Sequence, residues 1–250
     1  MKKVLDKISK EIILPIFMKD RLLVFSEFPQ SFITKTSIGV DIGYNESAKL
    51  AKFLLEDIVN AASQVCNVTI VTSHEDAEKF NQDRKYSQWN VYESEKGLIH
   101  QLSDSLKDKY SNKARKVIAI SGDVVVKRGE IESWFEDLNK YDSLIGPSIG
   151  SSDFRYLDFQ LMHPFYMISF DKQFGRYFTE NLSSTPSFAD FAYAYFKGVL
   201  KFGLPKRAQQ KRHINTIHDL SASIPLMEPG TTKEFAESLK QTYRSTHYGK

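Results

Sequence analysis

Val117-Ile118-Ala119-Ile120-Ser121-Gly122-Asp123 is the stretch on which the architecture turns. Four apolar residues in a row, three of them β-branched, read as a strand buried on both faces. The strand stops at a small-residue turn that carries a carboxylate. Upstream, Val68-Thr69-Ile70-Val71-Thr72 is a second such strand, and Leu22-Leu23-Val24-Phe25 is a shorter one. Glu46 to Ala62 and Leu98 to Tyr110 carry apolar residues at helical spacing. Trp89-Asn90-Val91-Tyr92 alternates like a strand. Downstream, Ile131 to Leu138 reads as a helix and Ser143-Leu144-Ile145 as a strand ending at Gly146-Pro147. Strands alternating with helices predict a three-layer α/β/α sandwich with a mostly parallel central sheet.

The bulk properties fit one large domain. The chain has 250 residues, of which 41% are hydrophobic and 26% charged. With one cysteine, Cys66, an internal disulfide framework is excluded. A net charge of +3, evenly spread, argues against nucleic acid as a partner. The longest apolar candidate for a span, Ile12 to Met18, is far short of the roughly 20 residues needed and is broken by Pro15. Met1-Lys2-Lys3 resembles the start of a signal peptide, but Lys7, Lys10 and Glu11 interrupt any apolar core. A cytoplasmic protein is expected. Residues 1–20 read as an amphipathic helical arm that packs on its own domain or on a second copy in a homodimer. The alternative is peripheral membrane contact through Ile12 to Met18. Residues 225–250 read as a basic C-terminal tail with room for a helix.

In open α/β sheets, ligands sit beyond the carboxyl ends of the strands. The first strand runs into Ser26 and, further on, Lys35, which can meet a nucleotide phosphate. The central strand runs into Ser121, Gly122 and Asp123. An aspartate there can hold a divalent metal that bridges a diphosphate. Gly146 and Pro147 close the next strand at the same edge.

The order of these pieces resembles a bacterial family of glycosyltransferase-A-like proteins, the radical-SAM-associated transferase 1 family, with phospholactate guanylyltransferase as a more distant relative. The family's opening Lys-Thr-Arg-Leu is similar to Lys35-Thr36-Ser37-Ile38. Its Leu-Gly and Phe-Leu-Glu-Asp are similar to Ile42-Gly43 and Phe53-Leu54-Leu55-Glu56-Asp57. Its Gly-Ser-Asp resembles Ser121-Gly122-Asp123, and its Asp-x-x-x-Gly-Pro strand resembles Asp142 to Pro147. Phe165 to Phe170 and Ser183-Ser184-Thr185 follow in order. His213-Ile214-Asn215-Thr216-Ile217-His218-Asp219-Leu220 stands for a closing Asp-x-Asp-Thr-x-x-Asp-Leu. The resemblance spans residues 21–224. It implies a nucleotide-diphospho-sugar transferase domain there, a nucleotide or nucleotide sugar as substrate, and Mg²⁺ or Mn²⁺ as cofactor.

The departures fall on the chemistry. Ser37 replaces an arginine that would fork onto phosphate oxygens. Gln101 stands where the family has another arginine. The closing carboxylate pair becomes His213 and Asn215. After Gly-Pro, an acidic glycine-rich stretch is replaced by Ile149-Gly150-Ser151-Ser152-Asp153 and an insertion reaching Met162. Asp123 is expected to be the principal catalytic and metal-binding carboxylate. Asp153 or Asp158 would supply a second, and His213 would be a ligand for a softer metal.

Other residues have plainer explanations. His163 suits a strand cap or a pocket base. Lys206, Arg207, Lys211 and Arg212 suit a solvated face or a diphosphate-receiving cluster. Trp89 and Trp134 read as core anchors, Cys66 as a small buried hydrophobe, and Phe188, Phe191, Ala192, Tyr195 and Phe196 as a core-facing stripe. Three functional expectations follow. The first is a nucleotidyl- or glycosyltransferase with a partly degenerate site. The second is a catalytically inactive relative that binds or scaffolds. A third, weaker one is an enzyme held at a membrane surface to act on a lipid-linked acceptor.

Overall fold

A computed structural model of the chain describes residues 20–94, 97–149, 165–183 and 186–248. The first half is strand β1 (Asp20–Phe25), helices α1 (Thr36–Ile42) and α2 (Tyr44–Ser63), β2 (Asn67–Ser73), α3 (His74–Gln82), β3 (Val91–Ser94) and α4 (Leu98–Ser111). Next come β4 (Lys116–Ser121), α5 (Arg128–Asp137), β5 (Ser143–Ile149), β6 (Phe165–Asp171) and α6 (Lys172–Glu180). The chain closes with α7 (Phe188–Phe202), β7 (Lys206–Arg207), β8 (Lys211–Arg212), α8 (Ile217–Ser223) and α9 (Thr231–Tyr248).

The strands form one sheet in the order β3-β2-β1-β4-β6-β5-β7, with β8 pairing to β5 beyond that path. β1, β2, β3 and β4 are mutually parallel, with Val24 opposite both Ile70 and Ile120. β6 runs antiparallel between β4 and β5. The α/β class with a mostly parallel sheet therefore holds.

Alternation along the strands builds the layers. Leu22, Val24, Ile118 and Ile120 point to one face, under α2 and α5, where Ile58, Trp134 and Phe135 fill the core. Leu23, Phe25, Val117 and Ala119 point to the other, under α4, α6 and α7, with Leu106, Phe174, Phe178 and Phe191. The period of two in the strands and of 3.6 in the helices makes the two faces compatible. A third cluster joins α1, α2, α8 and α9 through Ile38, Leu54, Ile214, Leu220, Ala236 and Leu239. Residues 231–248 are thus not a trailing tail: α9 buries Ala236 completely against the domain.

Three local expectations change. The strand begun at Ser143 does not stop at Gly146-Pro147 but continues to Ile149, with a register shift between those two residues. Trp89 lies ahead of β3 rather than in it, half-buried against Phe80 and Tyr86. The aromatic stripe of α7 is only partly core: Phe191 is buried, whereas Phe188 and Phe196 are 49% and 57% exposed. The N-terminal arm, Asp153, Asp158, His163, Ser184 and Thr185 lie outside the described residues. Among the described residues, no helix is long and apolar enough to cross a membrane.

Candidate functional site

The carboxyl end of β4 forms the centre of the site. Ser121 is the last residue of that strand, and Gly122 turns the chain so that its N–H donates to the Phe25 carbonyl at the end of β1, 2.8 Å away. A side chain at Gly122 would bring a Cβ to within 3.0 Å of that carbonyl and of Ser26 Cβ. Glycine lets the two strand ends close on each other and leaves Asp123 projecting at the edge.

Three groups converge on the Asp123 carboxylate. Oδ1 accepts from Ser121 Oγ at 2.5 Å and lies 2.6 Å from His213 Nδ1. Oδ2 lies 3.5 Å from the ammonium of Lys35. Burial alone would raise the Asp123 carboxyl. The charges of His213 and Lys35, with hydrogen bonds from His213 and Ser121, reverse that and hold it far below the usual carboxylate range.

Each partner is itself held. Lys35 caps the start of α1 with a left-handed backbone, φ 52° and ψ 46°, a conformation that costs a non-glycine residue about 1–2 kcal/mol. Its Nζ donates to the Ile214 carbonyl at 2.7 Å, and its side chain is 8% exposed. The Ile214 N–H in turn donates to the Asp123 carbonyl at 3.1 Å. Residues 212–216 are fixed from behind by Asp219, whose Oδ2 accepts from the Thr216 N–H and hydroxyl in a capping box while its Oδ1 accepts from Arg212. Segments from three distant parts of the chain are thereby locked around one carboxylate.

Glu27 is a further member. It lies two residues after the end of β1, with much of its surface exposed. Burial of its inner side raises its carboxyl, Asp76 and Asp123 add to the rise, and Lys35 opposes it. Glu27 was not singled out in the sequence, because its electrostatic neighbours come from α3 and from the loop after β4. Its place directly after Ser26 is the only local signal.

The structure brings together Lys35, Ser121, Gly122, Asp123 and His213. Ser26 stands at the rim, where its hydroxyl donates to the Glu27 carbonyl. Gly146 and Pro147 do not join them. Gly146 is level with Met167 of β6, which is level with Ile120 of β4, so a strand intervenes. Its lack of a Cβ makes room for the Tyr166 ring, whose nearest atoms would lie 2.6 Å away. The basic cluster is engaged in structural pairs: Lys206 with Asp137, Lys211 with Glu130 and the Val125 carbonyl, Arg212 with Asp219. Trp134 and Cys66 are buried as expected.

A family model for CofC-like guanylyl transferases matches residues 25–176, more than half of the chain, from the last residue of β1 onward and including the Lys35 loop and Asp123. The chain belongs to the CofC-like guanylyl transferase family. Its fold is that of a protein from Desulfovibrio desulfuricans G20 classed as a nucleotide-diphospho-sugar transferase. That likeness has a TM-score of 0.69 at 16% identity and covers 90% of this chain and 98% of the other. The 4-diphosphocytidyl-2C-methyl-D-erythritol synthase of Anaerococcus prevotii DSM 20548 is similar over 81% of this chain and 94% of its own, with a TM-score of 0.52 at 13% identity. No curated protein matches the chain. Family and fold together place it among nucleotidyltransferases of the nucleotide-diphospho-sugar transferase type.

The resemblance implies a divalent metal, and the donor set among the described residues does not suit one. Among the described residues, no three His, Cys, Asp or Glu side chains are placed to hold an ion. A cation bound to Asp123 Oδ2 would also sit beside the Lys35 ammonium. At a separation of about 4 Å, a doubly charged ion and an ammonium repel by roughly 8 kcal/mol at an effective dielectric of about 20.

Proposed function

We propose that this chain is a nucleotidyltransferase that binds a nucleoside triphosphate at the carboxyl edge of its sheet, with Lys35 facing the phosphates. The supporting observation is the convergence of Lys35, Asp123 and His213, residues remote in sequence, at the edge where open α/β sheets place their ligands. An acceptor oxygen attacks the α-phosphorus. A new P–O bond forms, the bond to the β-phosphate oxygen breaks, and diphosphate leaves with the electron pair. Lys35 lowers the barrier by balancing charge that develops on the phosphates, while Asp123 keeps that ammonium in place. The acceptor enters from the side of Ile149 and Phe165, where β5 ends and β6 begins. Glycosyl transfer from a nucleotide sugar is the neighbouring chemistry.

One feature favours the second reading, an inactive binding or scaffold protein: Ser37, His213 and Asn215 stand where the family resemblance has an arginine and two carboxylates. The test is melting temperature across a panel of nucleoside triphosphates and nucleotide sugars, followed by ³¹P NMR for diphosphate release with the best binder. A ligand at about 100 times its Kd adds roughly 2.7 kcal/mol, a clear shift. Binding with turnover supports the transferase. Binding without release, over a range of phosphorylated and hydroxyl acceptors, supports the binding protein. No shift with any donor removes the transferase and leaves a scaffold protein, for which partner capture is the next measurement.

A further inference from the structure

We propose that Lys35 stands where a divalent cation would otherwise act, so that nucleotide phosphates bind this cleft without a metal. The inference rests on the nucleotide reading above and makes it more specific. Asp123 has the position of a metal carboxylate but is satisfied by protein donors: Ser121 and His213 on Oδ1, Lys35 on Oδ2. Lys35 is not a surface lysine that swings in and out. Its left-handed backbone, its bond to the Ile214 carbonyl and its 8% exposure fix the charge before any ligand arrives. An ammonium has three N–H donors. Among the described residues, one is taken by Ile214 and a second faces Asp123, which leaves a third for a phosphate oxygen.

His213 has a separate role. With Nδ1 on Asp123 it occupies the carboxylate oxygen that a metal would share, and through Ile214 it ties the Lys35 ammonium to the same unit. It is a positioning residue. The replacement of a carboxylate by histidine at this point is thus part of the same change: fewer acids to hold a metal, and a fixed cation in its place.

The experiment is equilibrium binding of GTP and CTP to the full chain, by calorimetry, in excess EDTA and again in Mg²⁺. The expected result is a Kd that differs by less than about threefold between the two buffers. Lys35→Met should then weaken binding in EDTA about tenfold or more, as loss of a charge-assisted contact to phosphate would, with the circular dichroism spectrum unchanged. Binding that appears only with Mg²⁺ overturns the metal-free site and leaves the nucleotide reading standing. Binding in EDTA that is unaltered in a folded Lys35→Met overturns the role of Lys35. No binding of either nucleotide in both buffers overturns this inference together with the nucleotide reading. The EDTA comparison uses the unmodified protein, so it decides the metal question even if the variant fails to fold.

Discussion

His213 Nδ1 lies 2.6 Å from Asp123 Oδ1, so the imidazole carries its proton on Nδ1 to donate to a carboxylate that is otherwise crowded by protein. The pair links the end of β4 to the segment after β8.

Breaking that link should show in stability and in its acid dependence. Removing one partner of a buried charged pair costs about 3–5 kcal/mol, and the partial exposure of Asp123 puts Asp123→Ala near the lower end. His213→Ala, which leaves Lys35 and Ser121 in place, should cost about 2 kcal/mol. The Asp123 carboxyl is depressed in the fold. Its contribution is therefore complete above the unfolded carboxylate value near 4 and is lost as pH falls toward the folded value. Urea titrations of the parent and Asp123→Asn should show a gap at neutral pH that narrows below about pH 4. A gap that stays constant into acid would refute the ion-pair assignment.

Asp171 carries the opposite sign. It caps α6 by accepting from the Phe174 N–H at 2.8 Å, yet burial, with a contribution from Asp142, raises its carboxyl. A raised carboxyl favours the fold fully below the unfolded value and loses that benefit as pH rises through the folded one. Asp171→Asn keeps a good capping oxygen without the charge. At neutral pH it should match or exceed the parent by up to about 1 kcal/mol, with the difference vanishing near pH 3. A loss larger than about 1 kcal/mol at neutral pH would show that the charge itself is needed.

Gly175 sits inside α6 beneath Tyr110, and a Cβ there would overlap the tyrosine ring. Alanine normally improves a helix interior by about 1 kcal/mol over glycine. Here the ring cannot retreat easily, because its hydroxyl donates to the Phe170 and Asp171 carbonyls at 3.0 and 3.1 Å. Gly175→Ala should therefore destabilise by about 1–3 kcal/mol, measured as a lowered urea midpoint. A neutral or stabilising result would mean that the helix shifts to accept the methyl group.

Cys66 is buried, and desolvation pushes its thiol up to about 12. Only the thiolate reacts with disulfide reagents. In native buffer at pH 8 the thiol should be silent to Ellman's reagent and should react at the rate at which the molecule opens. Prompt stoichiometric reaction in the folded protein would contradict the burial.

Some of this was legible from the sequence, for identifiable reasons. Val117 to Ile120 and Val68 to Thr72 could hardly be anything but buried strands. A strand end is where Lys35 and Asp123 gain meaning. His213 was legible as a site residue only in the role of metal ligand, because a sequence does not show that Lys35 already occupies the space beside the Asp123 carboxylate. Glu27 was missed, since its environment is made by Asp76 and Asp123 from other segments. Gly146-Pro147 looked like a break. In the sheet, the glycine answers to the Tyr166 ring across the pair and the strand runs on. The outer face of α7 also defeats the pattern, for Tyr193, Phe196 and Leu200 are as apolar as its inner face yet stand exposed.

The antiparallel β6 has a consequence for how such a protein can diversify. Because it returns beside β5, with Phe165 opposite Pro147, both anchors of the intervening segment are pinned at the same edge of the sheet as Asp123. Residues can be added or exchanged between those anchors without altering the register of a single strand. The pairing that positions Asp123 therefore does not depend on the length of that connection, and insertions there leave the rest of the fold intact.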